Sequence, residues 1–273
     1  MESRVSNPIK IQNLGWKFGD RQILKDINLT IKKGYFYSII GPNGSGKTTL
    51  LRNIAKSLEP TPKSVFVDNI DVTKLSRRNM AKKLSVVPQN TNIEFEFTVT
   101  DIVLMGRSPY IGRFQAESSR DLKIAERAMR STNTWHLRDK PITQISGGER
   151  QRVIVARALA QNTDIMLLDE PVSQLDIHHQ IELMETIQAL IKERHITVVS
   201  VMHDLNLSAQ YSDYIILMNE GKVVCQGTPH DVITEENIKR VYKLDSYIMN
   251  NPVTGKPYIM HVRKSDYHAA VNH

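Results

Sequence analysis

Apolar and polar side chains alternate along two segments near the start of the chain, residues 9–14 and 24–31. In the second segment, Ile27, Leu29 and Ile31 are separated by single polar residues. A period of two is typical of strands that bury one face against a core. The two segments therefore predict a small antiparallel β-subdomain.

Three short, nearly continuous apolar runs follow, at residues 35–40, 165–168 and 197–202. Strands that are buried on both faces have this pattern, which is typical of parallel sheets covered by helices. Helical spacing of apolar residues occurs at residues 48–58, 149–160 and 178–194. Strands that alternate with helices predict an α/β fold with a mostly parallel core sheet.

Residues 113–133 form a polar stretch that is poor in glycine and proline, and this pattern predicts a helix. The chain contains no internal repeat and no low-complexity tract that would mark a linker. We therefore expect one continuous folding unit.

The composition fits a globular protein of a reducing compartment. The chain has 273 residues, 40% of them hydrophobic, which is enough for a substantial core. Its single cysteine, Cys225, excludes an intrachain disulfide and a multi-thiolate zinc site. Residues 1–10 lack the apolar core of a secretory signal, and no apolar run approaches the length that spans a bilayer. We expect a cytoplasmic protein that reaches a membrane only through a partner.

The charge balance is basic, with a formal net charge of +7 and a pI near 9.4. Lysine and arginine are scattered along the chain, and the densest group is Arg77, Arg78, Lys82 and Lys83. This group lies on a stretch with helical spacing, as a solvated helix face does. We therefore expect no nucleic-acid partner.

A glycine-rich loop connects the apolar run of residues 35–40 to a predicted helix. Its sequence is Gly41-Pro42-Asn43-Gly44-Ser45-Gly46-Lys47-Thr48, followed by Thr49. The pattern G-x-x-x-x-G-K-[ST] between a strand and a helix predicts a phosphate-binding loop, with backbone N–H groups and a positive helix end facing the phosphates. Lys47 is predicted to bridge the β- and γ-phosphates of a nucleotide, and the Thr48 hydroxyl to bind Mg²⁺.

Two adjacent acids, Asp169 and Glu170, end the apolar run of residues 165–168. Ligands of open α/β sheets bind at the carboxyl ends of the strands, so these acids are placed where a nucleotide would lie. Asp169 is predicted to contribute to the Mg²⁺ shell. Glu170 is predicted to orient or deprotonate the water that attacks the γ-phosphate.

A second candidate anion site precedes the predicted helix that ends at residue 160. Ser146 and Glu149 have the spacing of a capping box. Between them, Gly147 and Gly148 leave backbone N–H groups bare at the positive end of the helix. A chain with one phosphate loop therefore carries a second place for a phosphate.

The order of these motifs resembles the ATP-binding cassette family over residues 9–234. Residues 145–149, followed by Arg-Gln-Arg, are similar to the signature sequence of that family, which closes over the γ-phosphate of ATP on the opposite subunit. The resemblance implies an ATPase of the P-loop NTPase fold that uses ATP and Mg²⁺. It implies an ATP-binding domain over residues 1–240, with a helical subdomain at about 90–160, and a short C-terminal extension over residues 241–273.

Further positions also match this family. Gln89 is similar to the residue of the loop that senses Mg²⁺ and contacts the permease, and Asp176 to the loop that crosses the dimer interface. His203 is similar to the switch histidine, and Phe18 to the aromatic residue that stacks on adenine. Phe18 and Glu149 stand where tyrosine and glutamine are more usual. Neither departure removes a catalytic group. Stacking on adenine needs only a π-face, and Glu149 can still serve in the capping box.

The resemblance thus assigns roles to individual residues. The catalytic set is Glu170, His203, Gln89 and Lys47. The nucleotide-binding set is Phe18, residues 41–49, Ser146, Gly147, Gly148, Glu149 and Asp176. The Mg²⁺ set is Thr48, Gln89 and Asp169.

One copy of each motif implies a pair of chains that face head to tail, with ATP at the interface. The family further implies an integral membrane permease dimer as partner and a place on the cytoplasmic face of the membrane. Residues 97–109, 175–181 and 251–257 resemble the subgroup that serves importers of ferric siderophores, haem and cobalamin. Such importers receive their substrate from an extracytoplasmic binding protein. The alternative is a permease-free cassette acting on nucleic acid or ribosomes.

Overall fold

A computed structural model of the chain describes residues 7–89, 93 and 95–261. The strands are β1 (Ile9–Phe18), β2 (Arg21–Ile31), β3 (Phe36–Ile40), β4 (Val65–Val67), β5 (Ile70–Asp71), β6 (Leu84–Val87), β7 (Ile165–Asp169), β8 (Thr197–Val201), β9 (Tyr214–Asn219), β10 (Lys222–Gly227), β11 (Ser246–Asn250) and β12 (Pro257–His261).

The helices are α1 (Lys47–Ile54), α2 (Arg77–Ala81), α3 (Val99–Leu104), α4 (Ser119–Ser131), α5 (Gly147–Ala160), α6 (Ile177–Arg194), α7 (Leu205–Tyr211), α8 (Pro229–Val232) and α9 (Glu235–Tyr242). Short 3₁₀ helices occur at Val72–Lys74, Met105–Arg107, Trp135–Leu137 and Ile142–Gln144. Within the described part of the chain, no helix has both the length and the apolar character needed to cross a bilayer.

The alternating segments at the start of the chain form an antiparallel sheet with the strand order β2-β1-β4-β5. The apolar positions of the pattern, among them Ile9, Leu24 and Ile27, are buried against α1 and one face of the core sheet. The predicted antiparallel β-subdomain is therefore confirmed.

The core sheet has the order β10-β9-β3-β8-β7-β6, and all its strands run parallel except β10. Every residue of β3, β7 and β8 is buried, because one face packs on the β-subdomain and the other on helices that include α5 and α6. This two-sided burial explains the continuous apolar runs. The predicted α/β fold with a mostly parallel sheet is confirmed.

Between β6 and β7 the chain forms a helical region in which α3 and α4 both pack against α5. The predicted helix at residues 113–133 is too long, because α4 begins only at Ser119. Its start is set by a capping box: Ser118 Oγ accepts the N–H of Asp121, and Asp121 Oδ2 accepts the N–H of Ser118. The polar residues 113–118 therefore lie before the helix.

The predicted helix after the phosphate loop, residues 48–58, is also shorter in the structure. Helix α1 ends at Ile54, and Lys56 takes a left-handed backbone conformation with φ of 55°. The Lys56 ammonium donates to the carbonyls of Thr73 and Leu75 at 3.0 and 2.7 Å. These bonds to a neighbouring segment hold the chain away from the helix axis.

A C-terminal hairpin, formed by β11 and β12, packs on α7. The side chain of Asn206 donates to the carbonyl of Ile259 at 3.2 Å and accepts the N–H of the same residue at 2.8 Å. Lys256 adds a 2.7 Å bond to the Ser212 carbonyl at the other end of α7. The hairpin is therefore tied to the helix that begins directly after His203 and Asp204.

Candidate functional site

The loop between β3 and α1 is shaped by glycines in left-handed conformations, with φ of 79° at Gly44 and 99° at Gly46. Such φ values are costly for residues with a Cβ. At Gly41 space is the constraint as well, because a Cβ would lie 2.1 Å from the carbonyl oxygen of Met218. The loop follows a strand and leads into a helix, as predicted.

The turn between β9 and β10 supports this loop from behind. Gly221 donates its N–H to the Ser45 carbonyl at 3.1 Å and accepts from Lys25 at 2.8 Å. A Cβ at Gly221 would lie 2.2 Å from the Ile23 carbonyl oxygen, so only glycine fits. The sequence analysis missed this residue, although a glycine between two apolar strands is the usual signal of a hairpin turn.

Lys47 points into the loop that precedes it. Its side chain is buried, with 5% of the residue exposed, and Nζ donates to the carbonyls of Gly41 and Pro42 at 2.8 and 3.1 Å. Burial lowers the pKa of this ammonium, while the nearby carboxylates of Glu170 and Asp169 act in the opposite direction. A cation in this position can neutralise an anion bound in the loop.

The loop also has features that fit a bound phosphate. Ser45 Oγ is buried and makes no hydrogen bond to any described residue. A buried hydroxyl without a partner costs free energy, so a ligand oxygen would compensate for it. Asn43 and Gly44 are exposed at the mouth of the loop, and Thr49 lies within the first turn of α1. The mouth of the cradle is therefore open to solvent.

Thr48, in the first turn of α1, and Asp169, the last residue of β7, meet at the carboxyl ends of the strands. Thr48 Oγ1 donates to Asp169 Oδ1 at 3.0 Å. Asp169 is only 4% exposed. Burial raises its pKa, and the bond from Thr48 partly offsets that rise. A hydroxyl and a carboxylate beside a phosphate cradle form the oxygen donor set that Mg²⁺ prefers, so these two residues fit the ion.

Glu170 is held between two side chains from other strand ends. Gln89 Nε2 donates to Glu170 Oε2 at 2.6 Å, and His203 Nε2 lies 2.5 Å from Glu170 Oε1. The backbone of Glu170 has φ of 52°, which is uncommon for a residue with a side chain, and its N–H donates to the Val201 carbonyl. The three residues predicted as catalytic partners are thus brought together.

The start of α5 has the predicted capping box. Ser146 Oγ accepts the N–H of Glu149 at 3.2 Å, and the Glu149 carboxylate accepts the N–H of Ser146 at 2.8 Å. The bond from the Ser146 N–H is the main reason that the pKa of Glu149 is lowered. Ser146 and Gly147 are exposed, and Gly148 is buried.

Asp176 belongs to this second group of residues and not to the phosphate-loop group. It is the N-cap of α6, and its carboxylate accepts the backbone N–H of His179 at 3.0 Å. Phe18 lies at the end of β1; the residue is 71% exposed, and its ring packs edge-on against Trp16 with the ring centroids 5.3 Å apart. Trp16 is a contact that the sequence analysis did not predict.

The family model described as ABC transporter matches residues 24–173. The chain is 36% identical, over 92% of its length and 93% of the relative, to the iron(3+)-hydroxamate import ATP-binding protein FhuC of Bacillus subtilis.

Two solved structures have the same fold. One is a transporter assigned to the metal-chelate type of ABC transporters, in an inward-facing conformation, with a TM-score of 0.83 and 27% identity over 95% of this chain and 99% of that one. The other is a dimeric ATP-binding cassette in a post-hydrolysis state with ADP and Pi, with a TM-score of 0.69 and 32% identity over 81% of this chain and 98% of that one.

Proposed function

The chain belongs to the ABC transporter family, and from this membership we propose that it is the ATP-hydrolysing subunit of an importer for a ferric siderophore or a related metal chelate. The observation that carries the enzymatic part is the position of Glu170. Its carboxylate is fixed by Gln89 and His203 at the sheet edge where Thr48 donates to Asp169 and where the charges of Lys47 and Glu170 interact.

In this proposal the phosphate loop binds ATP through backbone N–H groups, Lys47 and the start of α1. Thr48 and Asp169, with Gln89, would hold Mg²⁺, which neutralises the charge of the transferred phosphoryl group. Glu170 accepts a proton from the attacking water, and its two hydrogen-bonding partners keep it oriented for that task. His203 lies beside Glu170, where its side chain could form a hydrogen bond with the γ-phosphate.

We further propose that two copies of the chain form a head-to-tail dimer around two ATP molecules. Ser146 and Gly147 are exposed at the positive end of α5, which is separate in sequence from the chain's own phosphate loop. Asp176 is exposed beside them. The dimeric cassette among the solved structures supports the pairing. In the dimer, this second anion site would face the ATP of the partner copy.

A surface groove of about 580 Å³ offers a place where a permease could dock. Its floor includes apolar side chains such as Met80, Leu84 and Met105, together with Arg77 and Arg157. Burial lowers the pKa of the Arg157 guanidinium, and no carboxylate among the described residues offsets this effect. We propose that a cytoplasmic segment of the permease docks here, which places the chain on the cytoplasmic face of the membrane.

The cargo part of the proposal is supported by the relative that imports iron(3+)-hydroxamate and by the metal-chelate type transporter. The chelate itself would be delivered by an extracytoplasmic binding protein and would pass through the permease. No residue of this chain needs to contact it.

The test is purification of the tagged chain from its native membranes, with identification of its partners. ATP turnover is then measured with and without ferric hydroxamates, haem and cobalamin, in vesicles that contain the permease and the binding protein. We expect a copurifying permease and a turnover rate that one class of chelate increases. Recovery with ribosomes or nucleic acid, without a permease, would overturn the importer proposal and leave ATP hydrolysis intact.

A further inference from the structure

One imidazole joins the two segments proposed to face the ATP of a partner chain. His179 lies in the first turn of α6, and its Nδ1 is 2.8 Å from both carboxylate oxygens of Asp176. A carboxylate only accepts, so Nδ1 carries the hydrogen. The ring thereby fixes the orientation of the Asp176 side chain.

The other side of the same ring rests on the first turn of α5. A Cβ added at Gly148 would lie 2.5 Å from His179 Cδ2 and 2.7 Å from Cγ. Real carbon atoms do not approach so closely, so the ring is seated directly on the backbone of Gly148. The absence of a side chain at Gly148 is what permits this contact.

Further contacts make the surroundings of His179 rigid. Gln180, the next residue, donates to the carbonyls of Val172 and Leu175 at 3.2 and 2.9 Å, which holds the segment before α6. Arg152 of α5 pairs with Glu182 of α6 at 2.8 Å. The ion pair thus joins α5 to α6 one turn beyond the imidazole, and the Gln180 bonds hold the segment that contains Asp176.

We propose that His179 is a positioning residue that couples Asp176 to Gly147 and Gly148, so that the two segments approach a partner chain as one unit. This inference rests on the proposed function, because it assigns the coupling a role in completing the composite ATP site. Without the ring, the Asp176 side chain would lose the group that orients it, and the start of α5 would lose its contact with α6 at Gly148.

The expected effect is on turnover and not on the binding of ATP by the chain's own phosphate loop. His179→Ala should lower kcat about tenfold, since small misplacements of positioning groups cost this much or more. The KM for ATP should change by less than about twofold, because the phosphate loop is untouched. His178 is the matched control: it is adjacent, its side chain is 76% exposed, and His178→Ala should leave kcat unchanged.

A double-mutant cycle separates coupling from a merely structural role. Gly148→Ala should lower kcat in the wild-type background, because its methyl group meets the ring of His179. In the His179→Ala background the same substitution should have a smaller effect, by a factor of about three or more. Equal factors in both backgrounds would overturn the proposal.

The measurements use the full chain, reconstituted with its permease, and each variant is checked for its unfolding midpoint. If His179→Ala does not fold, His179→Phe is used instead, because it keeps a ring on Gly148 and removes the Nδ1 hydrogen. A kcat of His179→Phe equal to that of wild type would also overturn the coupling. A wild-type chain that hydrolyses no ATP would contradict the proposed function itself. Normal turnover in His179→Ala would contradict this inference alone.

Discussion

At the scale of single residues, Glu170 has a left-handed backbone conformation and a side chain with two close partners. Such conformations cost free energy and persist where the surroundings impose them. Glu170→Gln removes the proposed proton acceptor and keeps the size and shape of the side chain. We expect ATP turnover to fall by about two to four orders of magnitude while ATP binding persists.

The measurement is steady-state phosphate release, with nucleotide binding followed by titration calorimetry. Glu193→Gln is the control, because it makes the same chemical change at an exposed position of α6. Turnover near the wild-type rate in Glu170→Gln would show that another group serves as the base.

Lys47 provides the second prediction at this scale. Its ammonium is buried in the phosphate loop, so Lys47→Ala removes the cation that would pair with the phosphates. Charge-assisted hydrogen bonds contribute about 1.5–3 kcal/mol, which corresponds to an ATP affinity weaker by about 10- to 100-fold. Titration with ATP checks this value. The exposed Lys192→Ala should bind like wild type, and equal affinities for all three proteins would contradict the assignment of the loop.

Some residues of the site can be predicted from the sequence, and others cannot. Lys47, Thr48 and Asp169 follow from a loop motif and a strand end, because parallel strands present their carboxyl ends at one edge. Gly221 acts on the same loop through a contact with Ser45 that is distant in sequence, and no local pattern encodes it. Its role follows from its hydrogen bonds with Ser45 and Lys25 in the folded chain.

At the scale of elements, the helical region is held by a buried ion pair. Arg107 Nε donates to Asp121 Oδ1 at 2.9 Å, and its NH1 group donates to the Ala160 carbonyl at the end of α5. The hydrogen bond from the Ser118 hydroxyl, followed by that from Arg107, lowers the pKa of Asp121 from 3.8 to about 2. The Arg107 side chain thus connects α4 to the end of α5.

This pKa shift predicts a loss of stability in acid. A carboxyl group with a lower pKa in the folded chain binds fewer protons there, so protonation favours unfolding. The contribution of about 2 kcal/mol is complete above about pH 4 and is lost as the pH falls to about 2. Urea unfolding across this pH range measures it.

Asp121→Asn tests the origin of that dependence, since it removes the titrating group. The variant should be less stable near neutral pH and should lose less stability between pH 4 and 2 than wild type. Glu126→Gln is the control, because its ion pair with Arg130 lies on the exposed face of the same helix. Parallel pH curves for wild type and Asp121→Asn would disprove the assignment.

The positions of strands and of long helices follow closely from periodicity, whereas helix ends do not. The buried strands β7 and β8 end within one residue of their predicted limits, because burial on both faces requires an apolar side chain at every position. Helix α4 starts six residues later than predicted, since the start depends on the capping box at Ser118. Polar residues before a cap look the same in sequence as those on a helix surface.

At the scale of the whole molecule, the proposal that the permease docks in the groove lined by Arg157 can be tested by substitution. Arg157→Glu reverses the charge of this residue in the groove. Loss of one partner of a buried charge pair at an interface costs about 2–5 kcal/mol. We therefore expect the amount of permease that copurifies with the chain to fall about tenfold or more. Quantitative blotting of detergent-extracted complexes gives the ratio. The exposed Arg127→Glu on α4 should retain the permease, and equal loss in both variants would argue against the groove.

The hairpin tied to α7 offers a place to observe the molecule at work. Val253, at its tip, is 90% exposed, while the single native thiol, Cys225, is half-buried and has a pKa raised by burial. A cysteine introduced at residue 253 would therefore react with a dye well before the native one. Because the hairpin is bonded to the helix that follows His203, the dye would report on movements of the segment next to His203 and Glu170 without a probe between those side chains. Movements of this segment during ATP turnover could then be followed by the fluorescence of the dye.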